Sequence, residues 1–203
     1  MLISATSSLG SVGGTSFFSN MFNASIFILW SIFIAYWIAA SRGNKKTAYQ
    51  QGSRSLIART ILVIAFFFLI WRPSFFAGEL FPSSLVIQAT GVVLCAAGIT
   101  FAIWARYMLG TNWSRNPEIK VGHELVTKGP YRFVRHPIYT GIILAILGSS
   151  LVDGRLRDLV LLAVVTLAFF MRSRIEERLM MRQFPEAYSE YKKNVKSLIP
   201  FVF

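Results

Sequence analysis

Long apolar runs divide the chain into five hydrophobic segments with polar segments between them. The runs are Phe22–Ala40, Leu56–Trp71, Leu85–Met108, Pro137–Val152 and Leu159–Met171. A membrane-spanning helix needs about 20 mainly apolar residues, and the first three runs reach or approach that length. The last two are shorter and are joined by the tight segment DGRLRD (153–158), which predicts a helical hairpin. The pattern predicts an all-α integral membrane protein with about five transmembrane helices.

The polar segments differ in positive charge. Five Lys or Arg residues lie in 41–59, six in 106–135 and seven in 172–203. The other three basic residues lie in the two alternate connections: Arg72, Arg155 and Arg157. Cytoplasmic loops carry an excess of Lys and Arg. Since five spans place all three basic segments on one side, we predict an extracytoplasmic amino terminus and a cytoplasmic carboxyl terminus, in a prokaryotic inner membrane or the endoplasmic reticulum.

The predicted organisation has three parts. Residues 1–21 are rich in Ser and Gly and lack the basic leader of a secretory signal, so we predict a loose or surface-lying extracytoplasmic lead-in. Residues 22–108 are predicted to form the first three transmembrane helices. Residues 109–203 are predicted to form the functional core, with a polar loop, the helical hairpin and a cytoplasmic helical extension.

Composition supports a membrane protein rather than a soluble one. Charged residues make up 15% of the chain, against about a quarter in ordinary soluble domains. The net charge of +12 could suggest nucleic acid, but a soluble nucleic-acid binder would not carry so many apolar runs. We therefore expect membrane lipids as partners, and neither nucleic acid nor a protein partner. The single cysteine, Cys95, rules out an intramolecular disulfide and is interpreted as a packing residue.

Small residues recur at helical spacing in the third and fourth runs. They are Gly91, Cys95, Gly98 and Ala102 in the third, and Gly141, Ala145 and Gly148 in the fourth. Such stripes let helices approach closely in lipid. They could also make room for a ligand, but packing is the preferred interpretation.

The loop over residues 109–137 is longer than a simple connector needs to be. It contains both histidines of the chain, His123 and His136, together with Trp113, Tyr131 and Phe133. Aromatic rings with hydrogen-bond donors suit a pocket for a flat, charged ligand. The alternative is an interfacial loop with an aromatic belt, which explains the aromatic residues and leaves the histidines unexplained.

The end of this loop resembles the start of a helix. Pro137 suits the first helical position, where its missing N–H costs nothing, and His136 then stands at the cap. The N–H groups of that first turn could bind an anion. The alternative is that Arg135 and His136 extend to lipid phosphates.

The segment after Met171 predicts a second charged constellation. Arg172 and Glu176 are four residues apart, hence on one helical face, and they lie nearest the apolar run, where ionisable groups are more often functional. A further group is expected to be solvated interfacial charge: Glu177, Arg178 and Arg182. After a last short helix opened by Pro185, Tyr188 and Tyr191 could close a site or lie at the interface.

Several sites are not signalled. The chain lacks G-x-G-x-x-G, a P-loop and a G-x-S-x-G elbow. Its two histidines are 13 positions apart with no cysteine or carboxylate cluster, which is poor zinc spacing. We therefore predict no metal site.

Two stretches carry a resemblance to a known family. They are HELVTKGPYRFVRHPIYTG (123–141) and RSRIEERLM (172–180), the latter followed by FPEAYSEYKKNVKSLIPFVF (184–203). Together they resemble the isoprenylcysteine carboxyl methyltransferases, a family of membrane enzymes, from roughly Arg106 to Phe203. The first two spans match only in hydropathy. Phospholipid N-methyltransferases share a similar core, and membrane sterol reductases a looser one.

The resemblance implies a helical membrane enzyme that binds S-adenosylmethionine without a Rossmann domain. The implied cofactor-binding residues are Asn116, His123, Glu124, Leu125, Val126, Tyr131, His136, Pro137, Ile138, Tyr139 and Glu176. Arg172 matches an arginine at the substrate carboxylate, and Arg172 and Glu176 are the implied catalytic residues. The implied acceptor is a lipophilic or prenylated molecule that enters from the bilayer.

The acceptor remains open between chemical classes. A carboxylate, whose ordinary pKa is about 4, needs no base, only positioning that can contribute roughly 7–11 kcal/mol. A phospholipid amine must lose a proton, so Glu176 or His136 would have to act as base. A reductase similar to the sterol enzymes and a non-enzymatic helical scaffold are further alternatives.

Overall fold

The computed structural model describes residues 6–41, 47–50, 78–80, 84–113, 118–120, 122 and 124–199. Helices dominate this part of the chain. They are α1 (Thr6–Ala40), α2 (Leu85–Leu109), α3 (Pro137–Asp153), α4 (Leu156–Gln183) and α5 (Pro185–Asn194). Strands β1 (Thr47–Gln50) and β2 (Glu118–Lys120) pair as a short antiparallel ribbon, which the all-α prediction did not include. The predicted second span, Leu56–Trp71, lies outside the described residues.

Two segments among the described residues are long and apolar enough to cross a membrane. They are Phe17–Ala40 and Leu85–Asn112, and α3 is apolar but shorter, at 17 residues. They correspond to the first, third and fourth predicted runs. The helical membrane character is therefore as expected, while the number of spans and the side of each terminus stay predictions.

The amino-terminal lead-in is helical where it is described. Helix α1 already begins at Thr6, so the loose alternative is wrong for residues 6–21, while a surface-lying, extracytoplasmic position stays a prediction. Once a helix is nucleated, each further residue adds a hydrogen bond at little cost. The apolar run from Phe22 therefore extends backwards through a sequence of weak helix formers.

Helices α2 and α3 are in backbone contact along the small-residue stripe. A Cβ atom on Gly98 would lie 2.5 Å from the backbone nitrogen of Ala145 and 2.5 Å from the carbonyl oxygen of Gly141. Cys95 and Ala102 are fully buried in the same cluster, beside Phe33 of α1. The packing interpretation of the stripe and of Cys95 is confirmed.

A tight turn joins α3 to α4. Gly154 adopts a left-handed conformation, with a φ of 68°, and donates its N–H to the carbonyl of Ser150. Arg155 follows at once, and α4 begins at Leu156. The connection is as short as the DGRLRD pattern predicts, because glycine ends the helix without steric cost.

The carboxyl-terminal segment returns to the start of α3. We call Val195–Ile199 the C-terminal strap. The backbone N–H of Arg135 donates to the carbonyl of Lys196 (2.8 Å), and that of His136 to the carbonyl of Ser197 (3.1 Å). The hydroxyl of Thr140 donates to the carbonyl of Leu198 (2.6 Å). These bonds hold the strap against the start of α3.

Candidate active site

A cavity of about 440 Å³ lies where α1, α3, α4 and α5 meet the loop before α3. This volume falls in the range of roughly 300–1,000 Å³ found for small-molecule sites. Part of the wall is apolar and includes Phe33, Trp37 and Phe169. Another part carries strongly polar groups, with Arg172 and Glu176 among them. The cavity therefore suits a ligand that is charged in one part and apolar in another.

Most of the residues expected in a cofactor and substrate site line this cavity. They are Glu124, Leu125, Val126, Tyr131, His136, Pro137, Ile138, Tyr139, Arg172 and Glu176. Asn116 and His123 lie outside the described residues. The fold thus brings together two motifs that are separated by a whole helix, while the role of each side chain stays a prediction.

Glu176 is the hub of the polar wall. One of its oxygens, Oε1, accepts a hydrogen bond from the Tyr139 hydroxyl (2.6 Å) and another from Nε of Arg172 (2.9 Å). The Arg172 guanidinium also lies 5.9 Å from the centre of the Tyr139 ring. Arg172 and Glu176 share one helical face, as their four-residue spacing predicts, and in the structure they form an ion pair.

Three rings stack along the same wall. The Tyr139 ring lies between His136 and Phe169, with centroid distances of 5.6 and 4.5 Å and interplanar angles of 4° and 6°. Helix α3 begins at Pro137, so Tyr139 comes in its first turn, beside the His136 cap. Stacking on both faces restricts the tyrosine ring and directs its hydroxyl to Glu176.

His136 lies between two carboxylates. Its Nδ1 is 3.6 Å from Oε2 of Glu176, and its Nε2 is 3.4 Å from Oε1 of Glu177. Burial by itself would lower the pKa of His136, but the two carboxylates outweigh burial and raise it. Burial would likewise raise the pKa of Glu176, but the His136 and Arg172 partners lower it to about 2. Both pKa shifts favour the charged forms, a carboxylate beside an imidazolium.

The prediction that Glu177 is solvated is wrong. This side chain is only 2% exposed and accepts hydrogen bonds from Nε (2.9 Å) and Nη2 (2.6 Å) of Arg135. It also meets Nζ of Lys192 at 3.0 Å and the hydroxyl of Ser197 at 3.3 Å. Neighbouring residues on a helix point about 100° apart, so Glu176 faces the cavity while α5 and the strap cover Glu177.

The other residues expected to be solvated on this helix behave as predicted. Arg178 and Arg182 are both exposed. They follow Glu177 along α4, but the returning chain does not cover them. No local pattern distinguishes Glu177 from them, because its partners come from the loop before α3 and from α5.

Arg135 is a structural contact rather than a lipid contact. Besides its bonds to Glu177, it donates through Nη1 to the carbonyl of Val195. The N–H of His136 is already used by the strap, so this donor of the predicted anion-binding turn is engaged by the protein itself. Pro137 does occupy the first helical position. The interpretation of Arg135 and His136 as groups that extend to lipid phosphates is wrong.

Arg106 lies beside the cavity, and the sequence pattern did not indicate this position. It is one of the six basic residues in 106–135 that predict a cytoplasmic segment, but it is only 2% exposed. It donates to the carbonyls of Ala40 (2.5 Å) and Gly110 (2.7 Å), and its guanidinium lies 4.6 Å from the ring centre of Trp113. Arg106 therefore ties the end of α1 to the end of α2 beside the cavity, whose wall includes Trp113.

Helix α5 closes another side of the cavity. Tyr188 is 3% exposed and Tyr191 donates its hydroxyl to the carbonyl of Tyr131. Both tyrosines line the cavity. Of the two alternatives for this pair, closing a site or lying at the interface, the structure favours the first, since both side chains face the cavity. Among the described residues, no group of three or more His, Cys, Asp or Glu side chains could hold a metal ion.

Comparison with known proteins points to membrane methyltransferases. The profile of the phospholipid methyltransferase family matches residues 86–187, half of the chain. A protein-S-isoprenylcysteine O-methyltransferase of Schizosaccharomyces pombe is 28% identical over 210 residues, covering 95% of this chain and 84% of the relative. Methanethiol S-methyltransferase 1 of Bradyrhizobium diazoefficiens is 38% identical over 71 residues, covering 35% of this chain and 24% of that enzyme.

A solved structure is also similar. It is the eukaryotic intramembrane Ras methyltransferase, an isoprenylcysteine carboxyl methyltransferase, with 24% sequence identity and a TM-score of 0.47. The match covers 76% of this chain and 55% of that one.

Proposed function

This chain belongs to the phospholipid methyltransferase family and is a membrane methyltransferase, and we propose that it methylates the carboxylate of an isoprenylcysteine-like lipophilic acceptor. The proposed methyl donor is S-adenosylmethionine. The proposed topology keeps the amino terminus outside and the carboxyl terminus in the cytoplasm, so that the polar end of the cavity faces the donor. The family match sets aside the reductase and the scaffold alternatives.

The described residues of the cavity fit S-adenosylmethionine. The donor has a carboxylate, an ammonium and a sulfonium, attached to a flat adenine. The Glu176 carboxylate can accept hydrogen bonds from an ammonium. The face of an aromatic ring attracts a cation, and the stack of His136, Tyr139 and Phe169 lies in the wall beside Glu176.

The observation that carries the choice of acceptor is that both candidate bases are already paired with opposite charges. Glu176 accepts a hydrogen bond from Arg172, and His136 lies between Glu176 and Glu177. The pKa of Glu176 is lowered to about 2, and His136 is buried between two carboxylates that raise its pKa. A general base works best when its pKa is near the operating pH. A carboxylate of such low pKa and an imidazolium are both poor bases, so the site suits an acceptor that has no proton to lose. A carboxylate meets this condition and a phospholipid ammonium does not.

Arg172 supports the same choice. Its guanidinium already holds a carboxylate, that of Glu176, at the cavity wall. An acceptor carboxylate can be held by the same planar group, which binds carboxylates with defined geometry. When bound, S-adenosylmethionine supplies an activated methyl group on sulfur. The chain's own part is to orient the acceptor oxygen through Arg172 and to exclude water with the aromatic wall, while no protein group exchanges a proton.

Two measurements test this proposal together. Calorimetry on the purified, detergent-solubilised chain is expected to show saturable binding of S-adenosylmethionine. With a labelled methyl group, a prenylcysteine analogue is expected to yield a base-labile ester, and phosphatidylethanolamine no product. A base-stable methylamine from the phospholipid would instead establish the amine acceptor, which the family name favours. Absence of donor binding would overturn the methyl-donor assignment altogether.

Tyr139→Phe is expected to weaken donor binding by about tenfold. The change removes one hydrogen bond to the charged Glu176 carboxylate, worth roughly 1.5–3 kcal/mol, while the ring stack is retained. The calorimetric Kd for S-adenosylmethionine measures the effect. Tyr107→Phe, at a site that is 73% exposed on α2, is the matched control and is expected to leave Kd unchanged. Equal affinities for the two variants would show that the hydrogen bond from Tyr139 to Glu176 does not contribute to donor binding.

A further inference from the structure

Glu177 is a buried charge that the proposed reaction does not use. It is not among the described residues that line the cavity, yet it is nearly inaccessible to solvent. Burying a carboxylate is costly unless it is paired and hydrogen-bonded. Three side chains from two parts of the chain surround it: Arg135 and His136 just before α3, and Lys192 on α5. The number of partners at this one carboxylate suggests that Glu177 has a role in the protein.

We propose that Glu177 is the positioning residue of the methyl-transfer site, acting from behind the cavity to hold His136 as an imidazolium against Glu176. This inference rests on the proposed function for its kinetic consequences. Glu177 does not touch the cavity, so its effect on the donor and the acceptor passes through His136 and the strap.

The geometry of His136 carries the inference. Its two nitrogens face two adjacent glutamates, Nδ1 towards Glu176 and Nε2 towards Glu177, at 3.6 and 3.4 Å. Both distances exceed a normal hydrogen bond, so the attraction is chiefly between charges. An imidazolium satisfies both carboxylates, whereas a neutral ring carries only one N–H. Glu177 therefore favours the imidazolium form of His136, which also stabilises the Glu176 carboxylate.

Glu177 also fixes the backbone that carries His136. Its Oε1 accepts hydrogen bonds from Arg135 and from the Ser197 hydroxyl. Arg135 precedes His136, and the carbonyl of Ser197 accepts the backbone N–H of His136. One carboxylate thus joins the residue before the imidazole to the strap segment that holds its main chain. A glutamine could replace some of these hydrogen bonds, but it has no charge to offer the imidazolium.

The charge of His136 also depends on the other charged and titratable groups around it. The cations are Arg135 on the same segment, Arg172 on α4 and Lys192 on α5. The hydroxyl groups in the cavity wall are those of Tyr131, Tyr139, Tyr188 and Tyr191, and Glu124 lines the wall as well. The cations oppose a charge on His136, so the two glutamates must outweigh them. Removing the charge of Glu177 leaves Arg135 and Lys192 near His136 without their counter-charge.

The sign of the pH dependence follows. The folded pKa of His136 is raised above its ordinary value of about 6.5, so the imidazolium contributes fully below that value and is lost as pH rises through the folded pKa. The acceptor carboxylate, with a pKa of about 4, stays ionised from pH 6 to 9. The alkaline limb of the rate profile therefore reports the imidazolium, and Glu177→Gln is expected to move that limb to lower pH.

Kinetics provide the first test. Glu177→Gln is expected to lower kcat/KM roughly tenfold to a hundredfold at pH 8, as small misplacements at a reacting centre do, with recovery towards pH 6. Glu177→Asp retains the charge and is expected to leave the alkaline limb in place. Glu186→Gln, at an exposed glutamate of α5, is the matched control.

A second variant moves the profile in the opposite direction. Lys192 is 41% exposed and contacts the buried Glu177, so Lys192→Met leaves the fold intact but frees Glu177 from one competing cation. The alkaline limb is expected to move to higher pH. Lys193→Met is its control, because Lys193 is 71% exposed and pairs with Glu190 instead. This pair keeps the inference testable even if Glu177→Gln does not fold.

Magnetic resonance tests the inference without any methyl donor. The chain contains two histidines, so histidine-selective labelling yields two ring signals, which His123→Asn assigns. The pKa of His136 is expected to fall in Glu177→Gln and to rise in Lys192→Met. Unchanged pKa values and unmoved rate profiles in both variants would overturn the inference. A wild-type chain that titrates as expected but transfers no methyl group would overturn the proposed function instead.

Discussion

Arg172→Ala is expected to abolish nearly all methyl transfer, while donor binding weakens only by about tenfold, because Glu176 loses one charged hydrogen bond. Arg172 supplies a guanidinium at the cavity wall, at a point where it already holds a carboxylate. Loss of one preorganised charge partner at a reacting centre costs roughly a hundredfold to a thousandfold in rate. The expected loss lies mainly in kcat/KM for the acceptor, because the alanine variant can neither bind nor orient the acceptor oxygen. Labelled methyl transfer to a prenylcysteine analogue, with calorimetry for the donor, measures both quantities.

Two further variants separate charge from geometry at this position. Arg172→Lys keeps the charge but loses the planar fork, so it is expected to fall between the wild type and Arg172→Ala. Arg178→Ala removes an exposed arginine from the same helix and is expected to keep full activity. If Arg172→Ala loses affinity for S-adenosylmethionine and nothing else, Arg172 belongs to the donor site and the substrate role is wrong.

Gly98→Leu is expected to disrupt the packing of α2 on α3 and with it the whole site. Even a Cβ atom at this position would lie 2.5 Å from two backbone atoms of α3, and backbone cannot move aside as a flexible side chain can. Overpacking a close contact costs typically 1–3 kcal/mol and occasionally more, and leucine adds three carbons beyond Cβ. We expect a destabilisation of about 3 kcal/mol or more, measured as a fall of roughly 10 °C in Tm in detergent.

Gly98→Ala is the decisive companion variant. Alanine is favoured over glycine within a helix by about 1 kcal/mol, so helix propensity alone predicts a more stable protein. The clash with the α3 backbone instead predicts a net loss of stability. Val93→Leu on the same helix, at a site that is 67% exposed, controls for added volume. Gly78→Ala, with open space around the new Cβ, controls for the loss of a glycine. A stabilised Gly98→Ala would contradict the close approach of the two helices.

Glu176 and Glu177 are adjacent in the chain but lie in different surroundings, so they can have different roles. Glu176 is 24% exposed at its side chain and faces the cavity, where its hydrogen bonds come from Tyr139 and Arg172. Glu177 is covered by α5 and the strap. The proposed division is therefore a ligand contact for the first and positioning for the second, with His136 between them.

Local patterns determined the features that depend on neighbours along the chain. The apolar runs predicted helices in the described regions, because a membrane helix must satisfy its own backbone and cover it with apolar side chains. The spacing of Arg172 and Glu176 predicted their common side of the helix, since residues four apart share a helical face. The glycine stripe predicted close packing. The resemblance to methyltransferases rested on short motifs, and the family match bears it out.

Tertiary structure alone decided the features that depend on distant parts of the chain. Glu177 is buried because Arg135 and Lys192 meet it from positions 42 residues before and 15 residues after it. Arg106 is buried because it binds the end of α1, 66 positions earlier. A charged residue near a membrane boundary looks the same in sequence whether water or protein covers it. Its partners become apparent only when the chain has folded back, because no local sequence pattern identifies a contact between residues that are distant along the chain.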